Sequence, residues 1–306
     1  MSAPVANAMT FDVEDYFQVS AMEPHVPRDQ WERMPCRVEA NTDRLLALLD
    51  GAGVKATFFT LGWVAERCPA LIRRIVAGGH ELASHGYWHH RVTELDDAAF
   101  RDDILRAKGV LEDTGGVAVD GYRAPSFSIG ADNLHVLRIL RETGHRYSSS
   151  VYPVQHDHYG MPEAPREPFQ PLGNDGVTEL PLTTVRLAGR NLPAAGGGYF
   201  RLLPYSVFRR ALQRVNRQEG AAGIFYLHPW EIDPGQPRIP GVSARTRFRH
   251  YVNLARTEHR LQRLLTDFAW APLRTVYADV LDHSLDVPPA QVAARGMETD
   301  RVIAQP

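Results

Sequence analysis

Short apolar runs alternate with amphipathic stretches over about the first 150 residues, and this alternation constrains the fold more than any other feature of the chain. The opening run ends in TFDVEDYF (residues 10–17). NTDRLLALLDGAG follows as a helix, with Asn41 or Thr42 expected as its N-cap and glycines closing it. VKATFFTLG reads as a strand and PALIRRIVAGG as a helix opened by Pro69. HELASH is a strand, DDAAFRDDILRAKGVLEDTGG a long helix, GYRAPSF a strand running into a loop, and ADNLHVLRILRETGH a further helix. Repeated strand and helix of this kind predicts an α/β fold with a parallel sheet.

Beyond this region the pattern loosens. Residues 152–200 are rich in Pro and Gly and predict loops with short strands, TELPLTT among them. PYSVFRRALQRVNRQEG predicts a helix and GIFYLH a buried strand. DPGQPRIPGVSARTRF reads as a long irregular loop, NLARTEHRLQRLLTDF as a helix, and Thr275–Tyr277 as a short strand. The domain boundaries expected are a barrel over 1–235, an extension packing on it over 236–284, and a loose tail over 285–306.

Composition narrows the function classes. Lys and Arg total 34 against 36 Asp and Glu, so no global field draws the chain to nucleic acid or an acidic membrane. Two cysteines, Cys36 and Cys68, make a disulfide framework unexpected. No apolar run reaches the length of a membrane span, and MSAPVANAMTFDVED lacks the basic and apolar regions of a signal peptide; the expectation is a cytoplasmic protein.

TFDVEDYF packs three carboxylates, Asp12, Glu14 and Asp15, into four positions, which calls for a cation, a shared proton or exposure to water. In an extended chain Asp12 and Glu14 fall on one side and Asp15 on the other. SHGYWHH places His85 and His89 four apart after a strand, where a helical turn would put both on one face; surface or packing roles are the alternative, and His90 points elsewhere. One carboxylate and two imidazoles form a three-ligand site with an open position, the arrangement of catalytic zinc, and a second carboxylate can serve as general base. In GYRAPSF, Arg123 can hold that base ionised, Pro125 stiffens the loop, and the Ser126 N–H can face an oxyanion. In FYLHPWEID, His228 at a strand end is a candidate general acid. Tyr87, Trp88 and Trp230 either line a sugar groove or pack in the core.

Taken in order, TFDVEDYF, SHGYWHH, RAPSF and FYLHPW resemble the motifs of the polysaccharide deacetylase family (carbohydrate esterase family 4, the NodB homology domain) over roughly residues 8–235. RFRHYVNLARTEHRLQRLLTDF resembles the subgroup found with exopolysaccharide and exosortase (PEP-CTERM) loci. The resemblance implies a distorted (β/α) barrel, with seven strands expected, that hydrolyses N-acetyl groups from amino-sugar residues of a glycan. It implies Asp12 as base, Arg123 orienting Asp12, His85 and His89 as ligands of a divalent metal, with zinc expected, and His228 as acid. The first motif departs from the family's paired aspartates, so the metal carboxylate is expected at Glu14 with Asp15 in reserve. The family's fourth motif, which supports the acid histidine, is not evident in YSSSVYP.

Three other readings use the same residues: a cyclic amide or imide hydrolase of the same fold, a two-histidine, one-carboxylate iron oxygenase, and an inactive carbohydrate-binding module. Arg249, His250, Tyr251 and Asn253 either fold over the barrel mouth or belong to a packing helix.

Overall fold

The computed structural model describes residues 5–156 and 160–283. Strand β1 (Ala6–Val13) is buried from Asn7 to Val13, which explains its nearly continuous apolar character: a parallel strand covered on both faces has no solvent side to mark with polar residues. Strands β2 (Thr57–Thr60), β3 (Glu81–Ser84), β4 (Gly121–Tyr122), β5 (Tyr147–Ser148) and β6 (Thr178–Glu179) follow in parallel, each paired with its predecessor. An antiparallel hairpin, β7 (Thr184–Leu187) and β8 (Arg190–Pro193), precedes β9 (Ile224–Leu227).

Thr10 pairs with Thr57 of β2 and also with Tyr226 of β9, so those two strands lie on opposite edges of β1. The resulting sheet is a curled half-barrel of seven parallel strands in the order β9-β1-β2-β3-β4-β5-β6, as expected for the fold class. A tenth strand, β10 (Ala269–Ala271), pairs with residues 6–8 of β1, on the edge that β2 takes over further along. The segment after residue 236 therefore adds a strand to the main sheet.

The crossover helices are α1 (Val38–Gly51), α2 (Gly62–Arg67), α3 (Pro69–Ala77), α4 (Asp97–Gly115) and α5 (Val136–Glu142). After the sixth strand come α6 (Gly197–Leu202), α7 (Tyr205–Gln218), α8 (Ala244–Tyr251) and α9 (Leu254–Asp267). Their apolar faces, such as Leu45 and Leu49 of α1 or Leu71, Ile72 and Ile75 of α3, pack on Phe11, Val13 and Phe58 of the sheet in one large core. Among the described residues no helix is long and apolar enough to cross a membrane.

Three expectations need correction. Helix α1 starts at Val38, so Asn41 and Thr42 are buried inside it and cap nothing. Residues 244–248 belong to helix α8, which Ser243 caps by accepting from the Thr246 N–H. The strand expected at 275–277 lies instead at 269–271, and Leu273–Val276 form a helical turn. The tail expected over 285–306 lies outside the described residues.

Candidate active site

The parallel sheet delivers the C-terminal ends of its strands to one face, and the chemistry-bearing residues collect there. Asp12 sits near the end of β1, and its Oδ1 accepts from Arg123 Nη1 at 2.7 Å. Arg123 is fully buried. It also donates to Thr10 Oγ1 at 2.7 Å, to the Ser149 carbonyl at 2.9 Å and to Ser149 Oγ at 3.0 Å, with its guanidinium over the Phe59 ring. A planar fork held at this many points fixes one carboxylate orientation and keeps Asp12 beside a permanent cation.

Glu14, His85 and His89 are all buried, and one donor atom from each lies within 4.8 Å of the others. His85 Nδ1 is 2.8 Å from the Arg123 carbonyl. A carbonyl can only accept, so Nδ1 carries the proton and the Nε2 lone pair is left for a metal. Burial lowers the His85 pKa to about 4, so the imidazole is the neutral ligand a cation requires. Burial alone would raise Glu14, yet the imidazoles of His89, His228 and His85 outweigh it and hold its carboxyl down to about 2.

Glu14 Oε2 lies 2.7 Å from His89 Nε2, and that oxygen is buried with no partner of hydrogen-bond geometry. A buried, ionised, unsatisfied oxygen beside two imidazoles is a donor set that fits a divalent cation. The resting geometry also separates the two acidic candidates. Asp15 turns away from the histidines: its Oδ2 accepts from the N–H groups of Arg37 (2.6 Å) and Val38 (2.9 Å), and its Oδ1 from the Tyr16 N–H at 2.9 Å. Asp15 thus anchors the start of α1.

The two histidines do not share a helical turn. They sit on an irregular loop after β3, with positive φ at Gly86 (74°) and at His89 (54°). Asp103 of α4 pins that loop by accepting from the N–H groups of Tyr87 at 2.8 Å and Trp88 at 3.2 Å. A Cβ on residue 86 would come within 2.8 Å of the same carboxylate, which is one reason for glycine there.

His228 follows β9 and reaches the same centre, with Nε2 3.5 Å from Glu14 Oε1 and 3.9 Å from Asp12 Oδ2. Its other nitrogen is 3.0 Å from Glu231 Oε2, a contact the sequence reading missed although the residues are three apart. Glu231 is braced in turn by buried Arg201 at 2.6 Å. Burial raises Glu231, but Arg201 and His228 overcome it and keep the carboxyl at about 2. Burial likewise works against an imidazolium, yet Glu14, Glu231 and Asp12 push His228 up to about 9. A charged histidine is a proton donor in waiting.

The aromatic residues take supporting places. Tyr87 is buried under the Arg106 guanidinium with its hydroxyl on Glu66, and Trp88 packs against Trp31. Trp230 is buried between the rings of His228 and His250, and its Nε1 donates to Glu14 Oε1 at 3.3 Å. Tyr87 and Trp230 are thus buried, and Trp88 is half-buried. Pro125 is buried, and Ser126 is half-buried in a left-handed conformation (φ 55°, ψ 25°), with its Oγ 2.6 Å from that of Ser20.

Residues 28–148 match the family model described as polysaccharide deacetylase, a span that contains His85, His89 and Arg123. That stretch is thus similar to polysaccharide deacetylases over about two fifths of the chain. Residues 149–278 match a domain of unknown function, DUF3473, which contains His228 and Glu231. A peptidoglycan-N-acetylglucosamine deacetylase of Bacillus cereus is 33% identical over 84 residues, 28% of this chain and 30% of that protein. A chitooligosaccharide deacetylase of Bradyrhizobium sp. is 37% identical over 70 residues, 23% of this chain and 32% of that protein. The chain thus spans about a third of the length of these curated relatives. A solved structure from Mycobacterium smegmatis, a candidate polysaccharide deacetylase, shares the fold with a TM-score of 0.61 at 23% identity, covering 94% of this chain and 96% of that one.

Proposed function

We propose that this protein is a divalent-metal-dependent deacetylase that hydrolyses N-acetyl groups from amino-sugar residues of a polysaccharide or its precursor. The observation that carries the proposal is the Glu14, His85 and His89 donor set lying beside a carboxylate, Asp12, that buried Arg123 holds in place. A divalent ion bound by these three side chains, zinc being the one the donor set suits best, supplies Lewis acidity at the scissile amide. Asp12, held in place by Arg123, takes the proton of the attacking water. The Ser126 N–H, on its left-handed turn, is assigned to the oxyanion that develops on the acetyl oxygen. His228, held charged against Glu231, gives its proton to the departing amine. Participation in exopolysaccharide biosynthesis rests on the sequence resemblance alone.

The test begins with elemental mass spectrometry on protein purified without chelators, followed by an assay for acetate released from N-acetylated oligosaccharides. About one divalent ion per chain and acetate release are expected. A chain that neither holds nor takes up a metal, or a loaded chain that releases no acetate from any N-acetylated glycan, would end this reading.

A further inference from the structure

Between Asp233 and Glu258 the chain has no carboxylate and five arginines, Arg238, Arg245, Arg247, Arg249 and Arg256, in a protein whose overall formal charge is −2. All five are exposed, and Arg238, Arg247, Arg249 and Arg256 form no ion pair among the described residues. Three of them lie on α8 around Phe248, which at 59% exposure is the most exposed large apolar side chain among the described residues.

That exposure is not the result of a loose helix. Buried Arg201 donates to the carbonyls of Arg249, His250 and Val252 at 2.9–3.0 Å, and His250 stacks on Trp230 with ring centroids 4.2 Å apart. Arg201 thereby neutralises the carbonyl end of the helix dipole, and the helix is left presenting positive charge. At about 100° per residue, Phe248 sits about 160° around the helix from His250. It therefore points away from the catalytic centre, which lies on the Trp230 side. His250, on the catalytic side, is buried behind Trp230. Only a broad surface on the far side of the helix meets Phe248 and its arginines together.

We infer that α8 docks on an anionic lipid surface, with Phe248 entering the headgroup boundary and the arginines meeting the headgroup charge. An aromatic wedge flanked by cations, in a stretch of 24 residues without a carboxylate, is complementary to such a surface. Stacked through His250 and Trp230, α8 then stands between that surface and the catalytic centre.

The test is flotation of the full-length protein with phosphatidylcholine vesicles, with and without phosphatidylglycerol. Binding is expected only with the anionic lipid, and it should fall steeply with added salt. The double variant Arg247→Gln, Arg249→Gln should weaken it about 30-fold. Phe248→Ser should weaken it at unchanged charge, while hydrolysis of a soluble N-acetylated oligosaccharide continues as before. Lack of binding to anionic vesicles at low salt, or equal binding by these variants, would overturn the inference. So would retention on a soluble anionic polysaccharide without vesicle binding, or a self-association that Phe248→Ser abolishes; these would assign the patch to a glycan or to a second copy.

Discussion

Glu14 and Asp15 are adjacent and both buried, and they perform opposite tasks. Glu14 points an unsatisfied oxygen at two imidazoles, whereas both oxygens of Asp15 are occupied by backbone N–H groups. Glu14→Gln should therefore lose metal and activity while staying folded. Asp15→Asn should keep its metal and lose about 1–3 kcal/mol of stability, because an amide cannot satisfy every donor now aimed at the carboxylate. Metal analysis and urea denaturation of the two variants check this; the reverse pattern would reassign the ligand. Alternation continued past the end of β1 already puts Glu14 and Asp15 on opposite faces, since side chains of an extended chain change face at every step. His228→Gln retains a partner for Glu231 but has no proton to give. Its kcat on an N-acetylated oligosaccharide should fall by about 10²- to 10⁴-fold with the metal still bound. A fall of less than about tenfold would remove His228 from the role of acid.

At the scale of elements, local pattern was readable wherever an element is stabilised locally. Helices α3 and α4 lie where Pro69 and the Asp96 cap put them. The misplaced features all depend on partners far away in sequence. The start of α1 is set by Asp15, more than twenty residues upstream, so Asn41 and Thr42 only looked like caps. Helix α8 buries one side chain, His250, and is held by Arg201, so no apolar periodicity announced it. Strand β10 is three residues long and exists because β1 offers it an edge. The same dependence makes β4 fragile, since it consists of two residues just ahead of Arg123. A Cβ at Gly121 would lie 2.3 Å from the Tyr147 ring, whose hydroxyl is tied to Glu81 at 2.7 Å and which is fully buried. Gly121→Ala should cost about 1–3 kcal/mol in urea denaturation and reduce activity by shifting Arg123. An unchanged midpoint would mean that β4 can move without consequence.

For the whole molecule, acid sensitivity is set by histidines far from one another. Burial lowers His80 to about 4, His145 to about 3 and His250 to about 3, from an ordinary value of 6.5. Each is kept neutral by the fold, under α3 beside Phe58, against Tyr122, or between Trp230 and Tyr251. As pH falls below 6.5 the unfolded chain takes up protons that the folded chain refuses. The stability these residues contribute is therefore complete above 6.5 and is lost on the way down to 4 or 3. Between pH 7 and 5 the loss is about 2 kcal/mol per histidine. His228 works in the other direction: raised to about 9, its contribution is complete only below 6.5 and recovers less than about 1 kcal/mol over the same interval. Glu14 and Glu231, held at about 2, weaken the fold only below their ordinary value of 4.5. With His85, which burial also lowers to about 4, counted beside these three, the groups named here give a loss of roughly 6–8 kcal/mol from pH 7 to 5, enough to shift a urea midpoint by more than 1 M for a protein with an ordinary denaturant slope. Urea titrations at constant ionic strength across that interval measure it directly. His145→Gln should flatten the profile by about a quarter, as one of four similar contributors. A flat wild-type profile would show that these imidazoles accept protons inside the folded chain, and that the packing around them opens at little cost.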